Sequence, residues 1–288
     1  MTQAAWPMWV LSLADTVERR AAARAQFDAL GLAFEFLDCV DGRNGLSEEF
    51  EKLVDRPGTL ERYGYGMSDG EYACALSHQM AYKRILDEQL PGAIIFEDDV
   101  LLTENFRRFY ETRSYEAAPL IQFFYFDAMV WKFGERSTPV ATLRRLQRSA
   151  WMAVGYSISA DAAAKMLAAS QPLRGKPDWP CDTVQLFGHY ITDPRIVLHP
   201  ELTPGQSLFG ETRSAFVPQG FDYSAGYAKG WRRLLSLASW KRLLTRPFRE
   251  RLLPGYDPTP QEEASRREVA ARMASPTAAA AKPRRKRA

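Results

Sequence analysis

The chain has 288 residues, 46% hydrophobic and 25% charged, which supports a sizeable core in one large domain or two small ones. Its net charge of +3 is concentrated toward the C-terminus, which excludes a body built to wrap nucleic acid. Cys39, Cys74 and Cys181 lie far apart, show no CxxC or Cys/His cluster, and are expected as free thiols in a reducing cytoplasm.

The opening stretch, MTQAAWPMWVLSL, lacks the basic and long apolar regions of a secretory signal, and no apolar run is long enough to span a bilayer. MWVLSL (8–13) reads as a short buried strand. The following stretch places Val17, Ala21, Phe27 and Leu30 on one helical face, with Gly31 as the stop. LAFEFL (32–37) is a second strand, so the chain opens strand–helix–strand, the start of an open α/β sheet. A polar stretch follows from Asp38 to Met67.

SDGE (68–71) is a capping box that starts a helix through YACALSHQMAYKRILDEQL. GAIIF, LIQFFYF (120–126), AWMAVGYSIS (150–159) and RIVLHP (195–200) are further strands, and Ser159 caps the helix ADAAAKMLAAS. Helices and strands alternate over about the first 200 residues, which predicts a mixed sheet covered by helices.

The strand GAIIF runs directly into Glu97, Asp98 and Asp99. Three adjacent carboxylates repel one another unless a cation or basic partners offset them. In open α/β sheets ligands bind beyond the carboxyl ends of strands, and Mg²⁺ or Mn²⁺ takes one or two protein carboxylates plus phosphate oxygens. The run therefore reads either as a solvated helix start or as half of a metal–diphosphate site.

In this order WVLSLADTVERR, LGLAFEFLDCVDGR, GEYACALSHQMAYKRIL, AIIFEDDVLL and GYSISADAAAKML resemble glycosyltransferase family 25 over residues 8–207. The resemblance implies a GT-A-like fold, a UDP-linked sugar donor, Mn²⁺ (or Mg²⁺) dependence and inversion at the anomeric carbon. It implies transfer of a hexose, galactose first, to a lipid-linked saccharide of a bacterial surface glycolipid. Asp99 matches the last acid of the family's DXD-like motif and is the direct metal ligand by this resemblance. Asp98 is the middle acid, and Glu97, a departure from the first Asp, is expected to act through water.

Ser12 and Leu13 are then expected near the nucleotide base. Arg19 and Arg20 can reach phosphate, because guanidinium matches phosphate oxygens bidentately. Asp38 and Asp41 stand where ribose or base contacts fall, with turn chemistry around Gly42 as the alternative. Glu71, Ser77 and His78 belong to the GEYACALSH signature and are expected at the donor, Glu71 being also a helix cap. Asp182, in DWPCDTVQLF, is the first candidate for the base that takes the acceptor hydroxyl proton, and Asp178 the second. Gln206 and Ser207, in HPELTPGQS, are expected to line the site.

Three units, WRRLL, WKRLL and FRERLL, repeat an aromatic, basic residues and a Leu pair. The expected organisation is a catalytic domain over 1–226, a basic helical extension over 227–255, and a disordered basic tail over 256–288. The extension suits an anionic membrane surface, which places the protein in the cytoplasm and peripherally on the inner membrane's cytoplasmic face. A nucleotidyltransferase and a non-enzymatic binding protein are the competing assignments.

Overall fold

The computed structural model describes residues 4–200, 243–255 and 257–275. Its centre is an eight-stranded mixed sheet in the order β2-β1-β3-β9-β5-β10-β8-β7. The strands are β1 (Met8–Ser12), β2 (Glu35–Asp38), β3 (Gly92–Glu97), β5 (Leu120–Gln122), β7 (Arg136–Ser137), β8 (Thr142–Arg145), β9 (Gly155–Ser159) and β10 (Tyr190–Asp193). β1 pairs in parallel with both β2 and β3, and β9 runs antiparallel between β3 and β5. The carboxyl ends of β1, β2 and β3 therefore share one edge with the segment that leads into β9.

Both faces are covered. On one, α1 (Val17–Leu30) and α5 (Glu104–Glu111) bury Phe27, Leu30, Phe106 and Phe109 with Val10 and Phe96 of the sheet. On the other, α4 (Asp69–Asp87) and α6 (Ala160–Ala169) bury Tyr82, Ile85 and Met166 with Trp9, Ile95 and Tyr156. The β3 side chains therefore alternate between two cores, which explains why GAIIF is apolar throughout. Gly31 ends α1 in the left-handed region at φ 66°, as its position in the sequence predicts.

The polar stretch 38–67 contains two short helices, α2 (Glu48–Glu51) and α3 (Arg56–Tyr63), which the sequence reading left as loop. Small paired strands add β4 (Leu101–Leu102) with β11 (Val197–Leu198), and β6 (Ala128–Trp131) with β12 (Arg249–Leu252). The helical expectation for FRERLL is thus corrected, because Arg249–Leu252 is a strand. Pro247 and Pro254 bracket it and leave no room for a helix. Its charges find partners, Glu250 with Arg144 of β8 and Arg251 with Asp127 just before β6, while Leu252 packs with Ala128 and Val130.

The expectation of disorder from 256 is corrected over α8 (Pro260–Ala274), a helix with Pro260 in its first turn and a Thr259–Glu262 capping box. It packs on α1 and α5, and Val269 joins the core. Trp231, Trp240, Gln206 and Ser207 lie outside the described residues. Among the described residues no helix is long and apolar enough to cross a membrane.

The short α7 (Thr183–Leu186) leads to His189, which is fully buried against Trp179 at 4.7 Å between ring centroids. Its Nδ1 meets Thr183 Oγ1 at 2.8 Å, and Nε2 has no hydrogen-bond partner among the described residues. Burial holds its pKa down at about 3. The folded state thus keeps the ring neutral while the unfolded chain protonates it near pH 6.5. The unfolded state binds more protons between these values, so stability falls as pH falls through that window. Between pH 6.5 and pH 5 this group is expected to remove about 2 kcal/mol. Urea unfolding at pH 7 and pH 5 checks it: the wild type should lose about 2 kcal/mol more than His189→Gln, and equal losses would refute the assignment.

Candidate active site at the strand ends

Beyond the parallel strand ends lies a cleft of about 500 Å³. That volume suits a small-molecule ligand. It is built where β1 ends at Ser12, β2 gives way to Cys39–Arg43, and β3 ends at Glu97. Gly42 is required there, since a Cβ would sit 2.4 Å from the Asp69 carbonyl oxygen. Ser77 on α4 fastens the same loop, accepting from Val40 N at 2.9 Å and donating to Ala73 O at 2.7 Å. On the far side, the buried Gln122 side chain donates to the carbonyls of Trp151 and Met152 and fixes the segment leading into β9.

The three acids have different partners. Asp98 accepts from Ser12 Oγ at 2.6 Å and pairs with Arg19 at 2.5 Å, so its carboxylate is already engaged by protein. Asp99 Oδ2 accepts from Arg19 at 2.8 Å and faces His199 Nε2 at 3.5 Å. Asp99 Oδ1 is buried with no hydrogen-bond partner among the described residues. Glu97 faces His78 Nε2 at 3.6 Å. The repulsion within the run is thus offset by Arg19, Ser12 and two histidines.

Burial, followed by the charge of Asp99, holds the Glu97 carboxyl above its ordinary value despite His78. Asp98 is also raised, by burial, against the Ser12 hydrogen bond. Burial pushes Asp99 the same way, but His199 and Arg19 outweigh it and keep Asp99 below the carboxylate range. His199 is raised in turn, Asp99 and Glu97 overcoming the cost of burying its charge.

His199 Nδ1 lies 2.6 Å from the Pro200 carbonyl oxygen, to which it donates, so Nε2 is the nitrogen aimed at Asp99. Neutral, that nitrogen presents a lone pair to a carboxylate. Protonation of the ring or a cation between the two relieves this. The Asp99 carboxylate, with Oδ2 facing an imidazole nitrogen and Oδ1 unpartnered among the described residues, fits a divalent cation.

Of the residues expected from sequence, Ser12, Leu13, Arg19, Asp41, Ser77, His78, Glu97, Asp98, Asp99 and Asp178 line the cleft. Arg19 is committed to the acids. Arg20 is committed to backbone, donating to Leu13 O and Ser12 O, and it pairs with Asp38 at 2.5 Å. Arg20 and Asp38 do not line the cleft, and neither does Glu71, a buried cap whose carboxylate accepts from Ser68 N at 3.0 Å. Asp182 is the N-cap of α7, accepting from Gln185 N at 3.1 Å, and it too lies outside the lining.

Sequence reasoning missed His199, a lone His after a strand, and Trp151, half exposed at the rim. It also read no Cys/His cluster. That reading is corrected: Cys74 and His78, one turn apart on α4, meet Glu97, with their ligand atoms within 4.8 Å of one another. The three cysteines are free. Burial pushes Cys39 up to about 12 and Cys181 up to about 11, so neither supplies a thiolate nucleophile at neutral pH.

The mixed sheet defines an α/β protein whose cleft and acid run lie at the parallel strand ends, the edge where open α/β sheets generally take their ligands. The chain belongs to glycosyltransferase family 25, described as LPS biosynthesis protein, whose model matches residues 5–184. It is similar to the lacto-N-neotetraose biosynthesis glycosyltransferase LgtE of Neisseria meningitidis serogroup B, with 39% identity over 100 residues, 35% of this chain and 34% of that one. It is 36% identical over 101 residues to the lipooligosaccharide biosynthesis protein lic2B of Haemophilus influenzae, 35% of this chain and 36% of that one. The matched stretch thus spans about a third of these bacterial relatives. A mouse relative, inactive glycosyltransferase 25 family member 3, is 35% identical over 104 residues, 35% of this chain and 18% of its own.

Proposed function

We propose that this protein is a GT-A-type hexosyltransferase. It moves a hexose, galactose first, from a UDP-sugar to a saccharide of a bacterial surface glycolipid, with inversion and with Mn²⁺ or Mg²⁺. The observation that carries the reading is Asp99 at the parallel strand ends, whose Oδ2 faces His199 and whose buried Oδ1 has no hydrogen-bond partner among the described residues. Family membership supports glycosyl transfer. The bacterial relatives' names support the acceptor class.

Asp99 and His199 would hold the cation, with Glu97 acting through water. The cation supplies charge stabilisation for the departing diphosphate. Ser12, Leu13 and Asp41 border the part of the cleft assigned to the nucleotide. Arg19 holds the charge and orientation of Asp98 and Asp99. Trp151 at the rim, with Lys176 Nζ 4.4 Å from its ring centroid, offers an apolar and cationic platform for the acceptor.

Asp178 is the base in this reading, because it lines the cleft and Asp182 does not. It takes the acceptor hydroxyl proton as that oxygen attacks the anomeric carbon and the bond to the diphosphate breaks on the opposite face. Asp178→Asn is expected to lower transfer about 100-fold with UDP affinity retained. Asp182→Asn is expected to stay within about threefold, since Asn caps a helix as Asp does. The reverse order of the two variants would move the base to Asp182.

A screen of nucleotide-sugars with and without Mn²⁺ tests the function, read by UDP release and by the melting transition. Cation-dependent UDP release with sugar transfer is expected. Pyrophosphate release would indicate a nucleotidyltransferase, and a chain that neither binds nor turns over any donor would indicate a non-enzymatic protein.

A further inference from the structure

We propose that Cys74, His78 and Glu97 form a site for a thiophilic divalent cation of the zinc class, separate from the hard-cation position at Asp99. The three ligand atoms lie within 4.8 Å of one another, and His78 Nε2 is 3.6 Å from Glu97 Oε1. Zinc–ligand bonds of about 2.0–2.3 Å at tetrahedral angles give ligand–ligand edges of about 3.3–3.5 Å. The His–Glu edge is near that length already, and small side-chain rotations close the others.

The backbone supports the set from two elements. Cys74 and His78 are one turn apart on a single face of α4, and Glu97 ends β3 opposite them. His78 is also oriented from behind. Its Nδ1 meets Tyr156 Oη at 2.8 Å, and that oxygen meets Tyr82 Oη at 2.8 Å, all three side chains being buried. With Nδ1–H donating to Tyr156, the Nε2 lone pair faces Glu97. A second partner that fixes the ring in this way is characteristic of ligating histidines.

All three residues line the cleft, so a fourth position opens to water or ligand, as in zinc sites with three protein ligands. A thiolate selects zinc and cobalt over manganese and magnesium. Binding forms the metal–sulfur bond and passes the thiol proton to solvent. The inference rests on this geometry and not on sugar transfer; Glu97 borders both positions, and the cobalt band of Asp99→Asn tells the two apart.

The test is Co²⁺ titration of the full chain, read by the thiolate-to-cobalt charge-transfer absorption. A band that Zn²⁺ displaces and excess Mn²⁺ leaves in place is expected. Cys74→Ser should abolish it, Tyr156→Phe should weaken Co²⁺ binding about tenfold, and Cys39→Ser and Asp99→Asn should retain it. Failure of the wild type to develop the band would overturn the site. So would a band that survives Cys74→Ser, or one lost in Cys39→Ser or Asp99→Asn.

Discussion

Asp99→Asn is expected to lower cation-dependent turnover of the donor at least about 100-fold, the scale set by removing a charge group that stabilises a departing anion. The substitution keeps the shape of the side chain and removes the charge on the acid of the Glu97–Asp99 run whose buried oxygen has no hydrogen-bond partner among the described residues. The fold should survive. Arg19 retains Asp98 at 2.5 Å, and Ser12 still donates to Asp98 at 2.6 Å. The melting transition of the apo protein should fall modestly, because the charge that Arg19 and His199 hold in the fold is lost, and the upward shift expected of the wild type with UDP and Mn²⁺ should vanish. Asp98→Asn separates the two roles, because its carboxylate is engaged by Ser12 and Arg19. That variant should keep its cation response, and its stability should fall no further than that of Asp99→Asn, since burial disfavours the Asp98 charge. Donor hydrolysis by Asp99→Asn that stays Mn²⁺-dependent at the wild-type rate would sink the metal assignment.

The part of this site that was legible in the sequence is the part carried by short-range pattern. The strand ending at Glu97, the capping box at Ser68 and the glycine after Leu30 are each written within a few residues. Parallel pairing of β1 with β2 and β3 then brings Ser12, Asp41 and Glu97–Asp99 to one edge. What stayed hidden depends on contacts between distant segments. His199 meets Asp99 only because β11 pairs with β4, and nothing near RIVLHP records that pairing. Cys74 and His78 needed Glu97 from another element to become a cluster. Asp178 and Asp182 are alike in sequence; only the path of the chain puts the first in the cleft and the second at a helix cap. Residues 260–274, in which three Glu balance three Arg, escaped notice because the basic, alanine-rich stretch that follows outweighed a capping box and a single apolar anchor, Val269.

Glu262→Ala is expected to cost about 3–5 kcal/mol, the scale for stranding one member of a buried ion pair. Arg195 and Glu262 are 1% and 2% exposed, and they join the segment before His199 to the first turn of α8. The guanidinium has five N–H donors, and every one is used. Nε and Nη2 donate to the Glu262 carboxylate at 2.9 and 2.8 Å, Nη1 to the carbonyls of Tyr125 and Gly255, and Nη2 also to Asp257 O. Glu262 in turn accepts from Thr259 N at 2.8 Å to close the capping box. Removing the carboxylate leaves a dry, uncompensated cation and strands the Thr259 N–H, while the Thr259 side chain still caps the amide of residue 262. Arg195→Met strands the Glu262 carboxylate as well as the three carbonyls, so it should destabilise by at least as much. The double variant should be more stable than the sum of the two single changes predicts, a coupling that a double-mutant cycle measures. Thermal unfolding of the full chain should show Glu262→Ala melting about 10 °C below the wild type. Since His199 follows Arg195 by four residues, the same variant should weaken the response to Mn²⁺ even below its transition. A melting temperature within about 2 °C of wild type would show that α8 is an appendage that does not hold the site.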